Sequence, residues 1–490
     1  MQTEWVDRVA AMRGAGIPDA VRAVMRRSLM DTLGVAAVGA QTENARITGD
    51  VAEMLWASGT AGHAGVLFRG GALSPAGAAF AGAATVDAID AHDGSTPCQG
   101  HAGSAVVPAL LAIADAEASS GRSINGEKFL AAMAQAYEVS YRVGRAQHAT
   151  VSDYHTSGAW TAVGIAVSAA ILLGCTPEQI RHAAGIAEYH GPRSQMMRCI
   201  DHPTMLRDGV CWGAPTGVTA AYMARAGFTG APALTIEGDD AAPFWEGFSG
   251  ANEDEKPACW RIIEETHYKA YPVCRWAHPA LDAVADLMRT HTLASDDIAR
   301  IEVRTFEKAV RLAGRAPTTL DELSYAIIYP LATMAVRGQI GTAELTPAVL
   351  TDPAIRDLAD RITITSCPEL TARSVNKRWA DVTIVTRSGA MLASGPRTPR
   401  GDRDAPLSEA ELENKYTAFA VPILGADRAR RIADAARAID TLDVDAFAQL
   451  RADVTAPVSP ANAQIRPPQP TKADPTVSDG ATIDIAGALA

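Results

Sequence analysis

The sequence predicts a mainly α protein, with a large all-helical domain and a smaller α+β domain inserted towards its C-terminal end. Three observations predict it. Apolar residues recur at helical spacing from Val21 to near Phe228. Close to Thr266 the pattern changes to alternating, β-branched segments. Helical periodicity then returns at Ser408. The 490 residues exceed what one ordinary core accommodates. Hydrophobic residues make up 48% and charged residues 20%, a balance that implies a soluble globular protein. Aromatics are only 6% and Ala and Gly are abundant, which suits closely packed helices better than a β-sandwich.

In chain order, helices are expected at Val21–Gly39, Ala76–Val86, Ala105–Ser120, Gly126–Gln147, Trp160–Leu173 and Pro177–Glu188. Gly174 closes one of them and Thr176-Pro177 opens the next. Strands are expected at Ala299–Phe306, Arg361–Ser366 and Ala380–Val385, with Arg387-Ser388-Gly389 as a hairpin turn into Ala390–Leu392. Helices at Pro279–His291, Tyr325–Arg337 and Pro353–Ala359 intervene. Two further helices, Ser408–Ala420 and Ala426–Leu450, are expected to pack back on the first domain. The resulting division is a helical domain over 1–265, an α+β domain over 266–404, returning helices over 405–455, and a Pro-rich polar tail over 456–490 expected to be disordered.

Several function classes lose support. The net charge of −12, with no basic run, argues against a nucleic-acid partner. Met1–Ala10 carries Glu4, Asp7 and Arg8 where a signal peptide needs apolar residues. Apolar runs such as Ala159–Gly174 are too short to imply a membrane span. The seven cysteines are scattered, odd in number and without a CxxC, which points to reduced thiols in a cytoplasm and against structural zinc or iron–sulfur clusters. No Walker A, strand-linked GxGxxG, HExxH or GxSxG is present, so neither a nucleotide cofactor nor serine hydrolysis is indicated.

Five polar clusters interrupt the apolar pattern. The loop between two Ala-rich helices carries Asp90, His92, Asp93, Thr96 and His101. Two imidazoles and two carboxylates there suit proton transfer, and His101 lies at a helix start that favours a bound carboxylate. On local grounds a polar helix connection fits equally well. His155, in Tyr154-His-Thr-Ser-Gly158, also sits at a helix start, where a capping role is the plain alternative. The stretch from Tyr189 to Gly209 contains Arg193, Arg198, His202 and Arg207, a set of cations suited to clamping carboxylates or simply to a solvated loop. Lys269, Arg275 and His278 gather at the expected domain junction, where ligand sites concentrate. Tyr325 opens a helix and is either a proton donor or a buried aromatic. A metal is not expected, because the Asp/His spacing matches no familiar ligand motif. The common purpose of these groups is to bind a small polyanion while one of them moves a proton.

In this order the clusters resemble the MmgE/PrpD family. The resemblance rests on Ser28-Leu-Met-Asp-Thr-Leu-Gly-Val35, Asp90 through His101-Ala-Gly-Ser104 with Val106-Val-Pro-Ala-Leu110, Gly227-Phe-Thr-Gly230, Lys269-Ala-Tyr-Pro-Val-Cys-Arg275 with His278-Pro-Ala-Leu-Asp282, and Ser324-Tyr-Ala326. It implies a helical domain with an inserted lid, a homodimer, and metal- and cofactor-independent chemistry on di- and tricarboxylates in a site between the domains. It also implies Asp90, His101, His155 and Tyr325 as catalytic residues, and Arg207, Lys269 and His278 as substrate-binding ones, to which the guanidinium chemistry of Arg193 and Arg275 adds two further expected carboxylate contacts. The chain departs from the family pattern at Gly94, where a threonine is usual, at Cys274, where the decarboxylases have histidine, and at Arg207, where many members have lysine. A guanidinium does not act as a base at neutral pH, so these departures weigh against cis-aconitate decarboxylation. The expected activity is that of a dehydratase of the 2-methylcitrate type. An epimerase of a substituted succinate and a non-catalytic carboxylate-binding homologue are the alternatives.

Overall fold

The computed structural model describes residues 4–248 and 259–458. The protein is mainly helical. The first half is a bundle in which the Gly158–Leu172 helix lies centrally, packed against Gly126–Thr150, Pro177–His190 and Val210–Arg225. A second layer pairs Pro75–Asp87 with Gly103–Ser119. Both central elements are buried on all sides, which explains why their sequences lack an amphipathic stripe. Small residues permit the close crossings. A Cβ added at Gly213 would lie 2.4 Å from the Gly158 carbonyl oxygen, so these two backbones touch directly.

The helix starts carry their own chemistry. Ser74 accepts from the Gly77 amide with Pro75 beside it, and Thr176 forms a reciprocal capping box with Gln179. Ser408 and Glu411 do the same at the start of Glu409–Leu424. That helix returns from the sheet-bearing part and packs on Asp19–Gly39.

Between these helical parts lies a four-stranded sheet in the order Ile362–Ser366, Ile298–Thr305, Ala380–Thr386, Met391–Ala393. The first pair is parallel and the other two are antiparallel. Gly389, at φ +89°, turns the hairpin between the last two. The His278–His291 helix covers the sheet and meets Ile328–Arg337.

Two expectations differ in detail. The single helix expected over Ala426–Leu450 is two, Ala426–Arg437 and Val444–Thr455, because Asp443 caps the second by accepting from the Ala446 amide. Tyr325 does not open a helix but lies between the Leu320–Ser324 and Ile328–Arg337 helices. Gly70 and Gly71 belong to a small antiparallel pair, Ala64–Val66 with Gly70–Leu73. The tail expected over 456–490 lies outside the described residues except for 456–458, and there the Val458 amide donates to the Phe68 carbonyl at 2.9 Å. Among the described residues no helix is long and apolar enough to cross a membrane.

A second unexpected pair matters most for function. Gly94–Ser95 in the polar loop forms an antiparallel ladder with Thr266–His267, pairing Gly94 with His267 and Ser95 with Thr266. It stitches the loop to the point where the chain leaves the helical bundle.

Candidate active site

The loop between Pro75–Asp87 and Gly103–Ser119 is buried almost throughout, so every polar group in it needs a partner. Asp93 supplies several. Its carboxylate accepts from the Gly103 amide at 3.0 Å and from the Tyr137 hydroxyl at 2.8 Å. Its backbone carbonyl faces His101 Nδ1 at 2.6 Å. A carbonyl can only accept, so His101 carries its proton on Nδ1 and a lone pair on Nε2. Burial, reinforced by the charge of Lys269 and by His92, holds the His101 pKa well below the ordinary value for histidine. The His92 ring meets the His101 ring edge-on with centroids 4.4 Å apart, and His92 Nε2 lies 3.1 Å from Asp87 Oδ1.

Asp90 forms a buried ion pair with Lys269, which is fully enclosed. Burial alone would raise the Asp90 pKa; Lys269, then His101 and His92, outweigh it and hold the carboxyl well below its usual range. Asp90, His92 and His101 bring ligand-type atoms within 4.8 Å of one another. The Lys269 ammonium already neutralises the carboxylate of that group, which opposes a second cation there.

From the other side, the Arg207-Asp208-Gly209 turn locks the wall. Arg207 and Gly209 both have positive φ, +50° and +68°. Asp208 accepts from the amide and the hydroxyl of Ser157, and Ser157 Oγ in turn accepts from the His101 amide at 2.8 Å. The Asp208 amide donates to Asp87 Oδ2 at 3.0 Å.

A cleft of about 470 Å³ opens onto this network, lined among others by Asp90, Thr96, His101, His267, Arg275 and Tyr325. Arg275 is held by Asp402 and by the Arg400 carbonyl at 2.9 Å, and its Nε has no partner. His278 stands behind it, with Nδ1 3.4 Å from Arg275 Nη1 and Nε2 3.0 Å from the Val273 carbonyl. Burial and the neighbouring Arg275 charge keep His278 neutral by pushing its pKa far down. Burial pushes the Tyr325 hydroxyl well above 10, so it holds its proton.

The nine residues singled out from the sequence therefore divide. Asp90, His101, Arg275 and Tyr325 line the cleft, and Lys269 reaches it through Asp90. His278 lies behind Arg275. Arg207 sits behind Tyr325, with its guanidinium 5.7 Å from that ring, and pairs with Asp321 at 2.5 Å and the Ala88 carbonyl at 2.7 Å. It faces a separate cavity of about 1080 Å³. His155 is buried but outside the cleft lining, and its Nδ1 is 2.8 Å from the Asp153 carbonyl. Its neighbour Tyr154 lines the cleft instead. Arg193 is exposed, and the charge on it helps lower the His155 pKa, after burial.

Lining residues that the sequence does not single out include Gln99, His267 and Arg378. His267 stands two positions before Lys269 in an extended segment without pattern. Arg378 follows Lys377 in a polar stretch far along the chain from the other cleft residues.

Comparison with known proteins gives two adjoining family matches. Residues 4–255 match the MmgE/PrpD N-terminal domain and 271–441 the MmgE/PrpD C-terminal domain. A human cis-aconitate decarboxylase is 23% identical over 441 residues, covering 85% of this chain and 87% of that protein. A cis-aconitate decarboxylase-like protein of Aspergillus oryzae is 23% identical over 391 residues, 73% of this chain and 78% of its own length. An Aspergillus terreus cis-aconitate decarboxylase is 22% identical, with coverage of 74% and 77%.

Proposed function

This chain belongs to the MmgE/PrpD family, and on that premise we propose that it is a lyase that abstracts a proton α to a carboxylate of a small di- or tricarboxylate and eliminates water. The observation that carries this reading is His101: a neutral imidazole in the cleft, with Nδ1 committed to the Asp93 carbonyl and Nε2 left with its lone pair. Such a group is a general base at neutral pH without further activation.

In this reading the α-proton passes to His101 Nε2 and the C–H electron pair moves into the adjacent carboxylate. Arg275 and Arg378, the cations that line the cleft, supply the positive field that stabilises the enediolate-like charge, which is commonly the largest catalytic term, while the Lys269–Asp90 pair fixes the wall beside His101. The same electrons then form the carbon–carbon double bond as the β-hydroxyl departs. That leaving oxygen takes a proton from Tyr325, a cleft residue that keeps its proton at working pH. His155, outside the cleft lining and with Nδ1 on the Asp153 carbonyl, keeps a lone pair on Nε2 and is the second member of the acid–base pair, as an acceptor. Arg207 acts through Tyr325, by holding its ring. His278 acts through Arg275, while Arg193 attracts the polyanion from outside. The chemistry uses no metal, and Lys269 already balances the carboxylate a metal would need.

An epimerase shares the first step and returns the proton to the other face, so the product distinguishes the two. The decarboxylase activity named for the relatives would use the same cationic wall to hold a carboxylate. Gly94, Arg207 and Cys274 weigh against it here, since burial raises the Cys274 thiol pKa to about 12 and keeps it neutral. The second copy of a homodimer would sit on the exposed apolar face around Leu55, Leu206 and Trp212.

The test is Cα–H exchange in deuterated water across substituted succinates and citrates, followed by product analysis. His101→Ala is expected to lower turnover by about 10²–10⁴-fold. Unchanged turnover in that variant sinks the assignment. Absence of exchange with every acid would favour a carboxylate-binding homologue.

A further inference from the structure

We propose that His267 is a substrate-contacting residue that selects acids bearing a hydroxyl group, by accepting a hydrogen bond from that hydroxyl at Nε2. The inference rests on the reading above, that the cleft binds a polycarboxylate.

His267 is 4% exposed, lines the cleft, and leaves its Nε2 without any partner. A buried polar atom left unpaired is costly, and folded proteins rarely keep one unless something else satisfies it. The other ring nitrogen is engaged. Nδ1 faces Thr96 Oγ1 at 3.5 Å and Asp402 Oδ1 at 3.8 Å. A carboxylate on that side favours the tautomer with the proton on Nδ1, so Nε2 is an acceptor.

The backbone makes room for this ring on purpose. His267 pairs with Gly94 across the short ladder. A Cβ at position 94 would stand 2.9 Å from His267 Nε2 and 2.7 Å from His101 Nδ1. Any side chain at 94 would therefore displace one imidazole or the other. With glycine there, His267 Nε2 and the Nδ1 side of the His101 ring come close to the same backbone segment, and both residues line the one cleft.

Charge decides what each group recognises. Arg275 and Arg378 are the cations that line the cleft and match carboxylates. An additional acceptor has no use for an ionised carboxylate; it needs a donor, and a hydroxyl on the acid supplies one. Burial, together with the Arg275 charge and then His101 and Lys269, keeps the ring neutral and its lone pair available.

The experiment uses matched acids that differ by one hydroxyl: citrate against tricarballylate and malate against succinate. Calorimetric titration of the wild-type protein is expected to favour the hydroxylated member of each pair. His267→Leu should remove that preference, with a loss of about tenfold or more for the hydroxy acid and little change for its partner. His267→Gln, which keeps an acceptor, should restore part of it. Thermal unfolding separates this role from a structural one. Replacing an unpaired buried nitrogen by an apolar group should leave Tm unchanged or raise it, whereas a structural histidine would lower it. A wild-type protein indifferent to the hydroxyl, or a His267→Leu variant that keeps the preference at unchanged Tm, overturns the inference. Both outcomes leave the α-proton reading standing, because that reading fails only if the wild type shows no isotope exchange with any acid.

Discussion

At His101 the two ring nitrogens have been given different work by one backbone carbonyl, and this fixes how activity should respond to acid. As the proposed base, His101 must be unprotonated, and its pKa in the fold is pushed well below 6.5 by burial, by Lys269 and by His92. The kcat/KM profile is therefore expected to stay flat as pH falls through 6.5 and to drop only in more acidic buffer. A rate that rises on acidification would mean that imidazolium, not imidazole, is the active form. The same shift is linked to stability. Below its ordinary pKa of about 6.5, histidine in the unfolded chain takes up a proton that folded His101 refuses, so acid favours unfolding. His267 and His278 are shifted in the same direction and add to this slope. Denaturant unfolding across that range measures it.

Elements rather than residues bring Asp90 and Lys269 together, since the two lie in the polar loop and just beyond the Thr266–His267 strand. A third element joins them from far along the chain. Lys415, in the Glu409–Leu424 helix, reaches back to Asp31 at 2.6 Å and to the Ala91 carbonyl at 2.6 Å. It thus grips the residue beside Asp90. Lys415→Met is expected to destabilise the fold by about 3–5 kcal/mol, because it leaves Asp31 charged, buried and alone. Turnover should also fall although Lys415 does not line the cleft; unchanged stability by denaturant titration would refute the anchoring role. Much of this was legible beforehand. Periodicity and caps located the helices, Thr176-Pro177 being a clear start, and the density of acids and imidazoles marked the Asp90–His101 loop. The break before Val444 was written in Asp443 but hidden by continuous apolar spacing. The Gly94–His267 ladder was not legible, because two-residue strands have no periodicity and their pairing spans distant segments. His267 was missed for that reason, and Arg378 because a Lys-Arg pair in a polar stretch reads as a solvated surface.

For the whole molecule, the face bearing Met54, Leu55, Leu206 and Trp212 stands out. Leu55 is 63%, Leu206 68% and Trp212 55% exposed, an unusual grouping for a lone subunit. Trp212 also packs edge-on against Phe80 at 5.2 Å and Trp56 at 6.2 Å, so the surface is backed by a fixed aromatic cluster. Light scattering after size exclusion is expected to give twice the chain mass for the wild type and the single-chain mass for a Leu55→Arg, Trp212→Glu double variant. A monomeric wild type, or an unaffected double variant, rules this face out. The Lys415 grip has one more consequence, in time rather than space. During synthesis the ribosome delivers the His101 loop more than 300 positions before the helix that fastens it. Contacts of such long sequence separation form late. The nascent chain can therefore assemble its helical bundle early and still possess no finished cleft, so that the proposed reactivity switches on only after the Glu409–Leu424 helix has been made.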